Sequence, residues 1–198
     1  MDSNKEGFEK ILRGTGRSGI EQVLAELDRL GFYDAPASTK FHGCMPGGLL
    51  KHSIAVFDEA VAIREIQVRF CPEMDNRLPM DSVTIVALLH DVCKAEVYKV
   101  VEKSLKGKDG QWEKSKAYGV DYSMFPLGHG EKSVIRLLRS GLEMTDDEIM
   151  AIRWHMSSFD LAFQSPESRQ NYSVASDKCP LLAVLRAADN LASHILGV

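Results

Sequence analysis

The sequence predicts an all-α helical bundle with one small β-hairpin inserted at about residues 95–122. Three observations predict it. Apolar residues recur at helical spacing through most of the chain, punctuated by Gly, Pro and capping patterns. Between about residues 95 and 128 that period gives way to two strand-like runs around a turn-rich tract. Finally, His52, His90-Asp91 and Asp189 interrupt otherwise apolar helical faces, so three helices would carry four polar groups that are costly to bury into one core.

The elements follow in order. Residues 1–17 are polar and Gly-containing, and are expected to be partly ordered at best. Ser18-Gly19-Ile20-Glu21 has capping-box spacing, and Ile20, Val23, Leu24, Leu27 and Leu30 continue it as a helical stripe stopped by Gly31. Gly47-Gly48 opens a long helix to about Arg69, with Leu49, His52, Val56, Ala60 and Ile63 on one face. Pro72 and Pro79 bracket a loop, after which Asp81 or Ser82 caps a helix ending at His90-Asp91. Val97 to Val101 and Trp112 to Val120 flank Lys106-Gly107-Lys108-Asp109-Gly110 as the hairpin. Helices resume at about Gly128, stop near Gly141 and restart at the capping box Thr145-Asp146-Asp147-Glu148. Pro166 to Asp177 reads as a loop. Pro180 starts a last helix with Leu182, Leu185, Asp189, Ala192 and Leu196 on one stripe.

At 198 residues the chain is most simply a single domain, able to bury a continuous core without disulfides. The motif-bearing part spans about residues 42–196. The net charge of −4 gives no global basic field for nucleic acid, although a local basic cleft is compatible with it. Cys44, Cys71, Cys93 and Cys179 form no C-x-x-C pair, which argues against a zinc ribbon. With no signal peptide and no apolar run of about 18 residues, a cytoplasmic protein with reduced thiols and no membrane partner is expected.

His52 shares its stripe with Leu49 and Val56, His90 with Val83, Val86 and Ala87, and Asp189 lies between Leu185 and Ala192. Any one of them alone reads as a buried, hydrogen-bonded polar group. Together with Asp91 they read as a metal site. Imidazole with carboxylate suits Mn, Fe, Ni, Co or Zn rather than Ca, and leaves positions open for water. A structural zinc site usually includes Cys, and none is suitably spaced. An open, catalytic divalent metal is the reading that remains.

In this order His52, His90-Asp91 and Asp189 resemble the H…HD…D signature of the HD-domain metal-dependent phosphohydrolases. Gly47-Gly48-Leu49-Leu50-Lys51-His52-Ser53, Lys94 after His-Asp, and Ala187-Ala188-Asp189-Asn190 match as well, and the likeness runs from about His42 to Ala192. The resemblance implies an HD-like bundle in which the four side chains hold one ion. Gly128-His129-Gly130-Glu131 and Trp154-His155-Met156 extend it toward the two-metal branch, which includes exoribonuclease-like and cyclic-dinucleotide phosphodiesterase members. There Asp91 would bridge, and His129 and His155 would bind the second ion. At a helix N-terminus the dipole favours the neutral, ligating form of His129. The alternative is a locally capping His129 and a core-packed His155. Relatives often carry a second histidine where this chain has Met156, and Gly where it has Cys93.

What the resemblance implies is hydrolysis of a phosphoester by metal-activated water, with one or two ions per chain and Asp91, Lys94 and His129 in the catalytic centre. Lys94 would neutralise a phosphoryl oxygen, and the alternative is a surface lysine. His42 resembles loop histidines that line the substrate pocket in relatives. Arg186, one turn before Asp189, would bind phosphate or pair with an acid. His194 has no motif context, and Cys93 reads as a small buried filler. From Lys94 to Tyr118 seven lysines face four acids, interleaved with Tyr98, Trp112 and Tyr118. That is either a base-stacking, phosphate-holding ribbon or an ordinary exposed one. The expected substrate is a small nucleotide. An exonuclease or phosphodiesterase acting on short single-stranded nucleic acid is the alternative, and a non-catalytic metal-binding sensor or scaffold is the reading outside the enzymes.

Overall fold

A computed structural model describes residues 2–106, 111–123, 125–157 and 165–198. Helices dominate it: α1 (Asp2–Gly14), α2 (Ile20–Leu30), α3 (Gly48–Phe70), α4 (Met74–Arg77), α5 (Met80–Leu89), α6 (Lys94–Val97), α7 (His129–Arg139), α8 (Asp146–Trp154), α9 (Pro166–Lys178) and α10 (Pro180–Leu191). The strands β1 (Tyr98–Lys106) and β2 (Trp112–Val120) pair antiparallel, from Tyr98 opposite Val120 to Lys106 opposite Trp112. The expected mostly helical fold with one hairpin is the fold observed. The predicted turn at 107–110 lies outside the described residues. Among the described residues no helix is long and apolar enough to cross a membrane.

The core is organised around α5. From Ser82 to Leu89 every residue of it is buried, and a helix apolar all round belongs inside a bundle rather than on its surface. Helices α3 and α10 pack against α5 and against each other, α8 packs on α5 and α10, and α7 lies against α8. Because α5 is enclosed, the residues that follow its last turn are delivered to the middle of the molecule. That is where His90 and Asp91 stand.

Several expected boundaries differ, each for a physical reason. Residues 2–14 form α1 rather than a partly ordered segment. Its polar composition conceals a stripe of Phe8, Ile11 and Leu12, of which Phe8 and Leu12 are fully buried. Phe8 packs edge-on against Tyr33 and tilted against Phe32, tying α1 to the short 3-10 turn Phe32–Asp34. The capping box expected at Ser18 does not form. Gly19 caps α2 at φ 90°, and a Cβ there would lie 2.1 Å from the carbonyl oxygen of Gly141. A long-range backbone approach has replaced the local cap. Gly31 ends α2 in the left-handed conformation as expected, and the Thr145–Glu148 capping box is complete.

Helix α5 starts from an extended Pro79, not from an Asp81 or Ser82 cap; Asp81 instead pairs with Arg17. The loop between Pro72 and Pro79 contains the single turn α4. Pro166 to Asp177, expected as a loop, is helical: the Ser165 hydroxyl accepts from the Ser168 N–H and Pro166 sits at the first position. Its buried side is thin, little more than Ala175 with Tyr172 half-covered, so it left no clear apolar period. Past α10, Ala192–Leu196 widens into a π-turn, and Leu196, expected on the buried stripe, is exposed.

Candidate metal centre

Five elements converge on one point. His52 lies in the second turn of α3, His90 and Asp91 follow α5, His129 opens α7, His155 follows α8 and Asp189 lies near the end of α10. His52, His90, Asp91 and His155 are buried, and Asp189 and His129 are about a quarter exposed. Ligand-capable atoms of His52–His90–Asp91, of His90–His155–Asp189 and of Asp91–His129–His155 each gather within 4.8 Å. All six residues expected as ligands are therefore brought together, and the group could hold a metal ion.

Asp91 is the hub, and its two oxygens face different partners. Its Oδ2 lies 3.2 Å from His90 Nε2, 3.5 Å from His52 Nε2 and 2.6 Å from Lys94 Nζ. Its Oδ1 lies 2.5 Å from His129 Nε2 and 3.5 Å from His155 Nε2. Asp189 Oδ1 joins the first set, 3.3 Å from His52 Nε2. The α7–α8 crossing positions the second set. A Cβ on Gly130 would lie 2.3 Å from the carbonyl oxygen of Arg153, so only glycine lets the start of α7 close on the end of α8. That closeness leaves the His129 and His155 rings 5.2 Å apart.

The ring nitrogens turned away from the cluster decide what the others can do. Nδ1 of His90 bonds the Ala87 carbonyl at 2.9 Å, Nδ1 of His155 the Ile152 carbonyl at 2.7 Å, and Nδ1 of His52 the main-chain oxygen of Val198 at 2.9 Å. Two of these satisfy last-turn carbonyls that α5 and α8 leave without helical partners. A carbonyl only accepts, so each Nδ1 carries the proton and, in the neutral ring, Nε2 carries a lone pair. Those three Nε2 atoms are buried and lack hydrogen-bond partners. With the rings neutral, three fixed lone pairs around a carboxylate fit a cation, and a carbonyl on the far nitrogen is the usual way a ligating histidine is oriented.

Without a cation the cluster is balanced by protons. Burial would raise the Asp91 pKa, but Lys94, His90 and His129 hold it well below the usual carboxylate range. Asp189 is lowered likewise, the nearby His52 ring overcoming burial. Burial would lower His52, but Asp189 and Asp91 push it up to about 9. Against burial, Cys93 and Asp91 push His129 up to about 10. The start of α7 favours the neutral His129 ring, while the Asp91 carboxylate against it favours the charged one. Burial lowers His155 and His42.

A cation that takes the nitrogens of His52 and His129 must displace protons that those rings hold at neutral pH. Metal affinity should therefore rise steadily from about pH 6 to 9, with proton release visible in titration calorimetry across buffers of different ionisation enthalpy. A pH-independent affinity would remove both residues from the ligand set.

The other expected site residues fall around the cluster. Lys94 is not a surface lysine: it is nearly buried, pairs with Asp91, and is raised because Asp91 outweighs burial. The His42 ring centroid is 5.3 Å from that of His52. Arg186 lines a cleft of about 750 Å³ with His42, Lys94 and Asp189, and its guanidinium stacks over Tyr172 rather than pairing with Asp189. A second cleft of about 450 Å³ is lined by His129, Cys93 and Tyr98, with His42, Lys94 and Met156 common to both. Of the hairpin aromatics, Tyr98 lines this second cleft, whereas Trp112 lies eight residues farther up the ribbon, about 27 Å along the strand from Tyr98, and is exposed.

Two contacts were not legible in sequence. Cys93 is not merely a filler, since its Sγ lies 3.1 Å from His129 Nδ1, where the other three rings have a main-chain oxygen. The Ser193 hydroxyl reaches Asp189 Oδ1 at 3.3 Å and His42 Nε2 at 3.4 Å. The i,i+4 spacing of Asp189 and Ser193 was the one available signal for the second. Comparison of the chain with protein-family models, with curated proteins and with solved structures returned no match.

Proposed function

We propose that this chain is a metal-dependent phosphohydrolase acting on a phosphoester of a nucleotide or short nucleic acid. The observation that carries the reading is the set of three oriented, partnerless Nε2 atoms around the two oxygens of Asp91. His52, His90, Asp91 and Asp189 would hold one divalent ion, and Asp91, His129 and His155 a second, with donor types suited to Mn, Fe, Ni, Co or Zn. Bound there, such an ion supplies Lewis acidity and a water of lowered pKa. The order of these residues, which resembles the HD-domain phosphohydrolases, supports the same reading.

The chain's own groups do the rest. Lys94 faces both clefts, where its ammonium offsets the charge that develops on phosphoryl oxygens. Arg186 and His42 line the larger cleft and would orient the substrate's phosphate and sugar. Ser193 holds the Asp189 carboxylate in place. A cleft of about 750 Å³ suits a ligand of nucleotide size. Low-dielectric walls strengthen each of these charge contacts relative to water.

The test is a substrate panel under Mn²⁺: nucleoside mono- and triphosphates, cyclic dinucleotides, and short RNA and DNA oligomers. Turnover of at least one is expected. Preference for mononucleotides assigns a nucleotidase, and preference for oligomers assigns an exonuclease or phosphodiesterase. Metal-loaded protein that turns over none of them would overturn the enzymatic reading and leave a metal-binding sensor or scaffold.

A further inference from the structure

The second cleft contains a buried lysine that pairs with none of the described carboxylates. Lys132 lies on α7, three residues after His129, so both project from one helical face. It is 1% exposed, yet it lines the same cleft as His129, Lys94, Tyr98, Tyr122 and Phe41. The neighbouring cation, Lys94, is matched by Asp91 at 2.6 Å. Lys132 forms no ion pair with a described carboxylate. Its nearest aromatic partners, the rings of Tyr122 and Phe125, stand 6.0 Å from Nζ, the outer reach of a cation–π contact. The Lys132 charge lowers the pKa of solvent-facing Asp121, but the two form no ion pair. An ammonium buried without a direct ion pair is costly, and a cleft wall is where a ligand's anion can supply one.

We propose that Lys132 receives a second, non-reacting phosphoryl group of the substrate. The substrate class is then a nucleotide carrying at least two phosphoryl groups, with a base resting among Phe41, Tyr98 and Tyr122, whose faces accept any base. One helical turn, about 5 Å along the axis, separates His129 from Lys132, so the group held is a close neighbour of the one at the metal cluster. Which phosphoryl group reacts rests on the phosphohydrolase reading; the binding preference does not.

The experiment compares two ligand pairs that differ by one phosphoryl group, the dinucleotides ApA and pApA, and AMP and ADP. Equilibrium binding to metal-free protein is measured, so no turnover is needed. Wild-type protein should bind the more phosphorylated member of at least one pair about tenfold more tightly, the worth of one charge-assisted contact. Lys132→Met, which keeps the buried stem, should erase that preference and leave ApA and AMP affinities within about threefold. Lys132→Arg should retain it. A preference confined to pApA assigns a phosphodiester neighbour, and one confined to ADP a nucleoside polyphosphate. Wild-type protein without a preference in either pair, or Lys132→Met protein that keeps one, overturns the proposal. A retained preference alongside a failed hydrolysis panel would sink the enzymatic reading alone.

Discussion

Replacing His90 and Asp91 together by Ala is expected to abolish bound metal and phosphoester hydrolysis at once, the rate falling by about 10⁴-fold or more. Asp91 offers both oxygens on which the two histidine sets converge, and His90 supplies one of the three oriented Nε2 atoms. Removing Asp91 also strips Lys94 and His129 of their counter-charge. Asp91→Asn alone should lose most of the metal and retain the fold, since the amide keeps the volume and one oxygen. Circular dichroism separates loss of site from loss of structure. Full hydrolysis by the folded double variant would contradict the assignment.

The largest stability effect is expected at Arg17. Its guanidinium takes Glu148 in two bonds of 2.9 Å, reaches Asp81 at 2.5 Å and donates to the Glu143 carbonyl at 3.1 Å. Glu148 is fully buried, and one of its oxygens also completes the α8 capping box. Arg17→Met leaves that carboxylate buried without its cation, which should cost about 3–5 kcal/mol in urea denaturation. Arg17→Met with Glu148→Gln should recover part of the loss, because the orphaned charge goes while the capping oxygen stays. A single variant within about 1 kcal/mol of wild type would show that the network contributes little. The network joins the α1–α2 connection to α5 and α8, so it also steadies the helices that deliver His90 and His155.

Most of the fold was legible because its long helices have strong periods and clear punctuation: Gly31, Gly47-Gly48, Pro180 and the Thr145 box all act where expected. The elements that were missed are those whose stability is tertiary. Helix α1 depends on burying Phe8 and Leu12 among few other apolar residues, and Gly19 answers to Gly141 across the chain rather than to its own neighbours. Arg17 sits in a stretch that composition marks as loosely ordered, and its partners lie as many as 131 residues away. At the site, His52, His90 and Asp189 could be named in sequence because they interrupt apolar faces and Asp91 because it adjoins His90, whereas His129 and His155 stood out only through the resemblance to the HD-domain proteins. Cys93 beside His129, Ser193 beside Asp189, and the buried charge of Lys132 could not be named, because each is defined by what it faces.

The most direct measurement is the content of Mn, Fe, Co, Ni and Zn per chain in protein purified without chelator and then equilibrated with each ion. Wild-type protein should hold about two ions, and His129→Ala/His155→Ala protein about one, as expected if Asp91 serves both sets. Wild-type protein that retains none of these metals would contradict the reading of the His/Asp cluster as a metal centre.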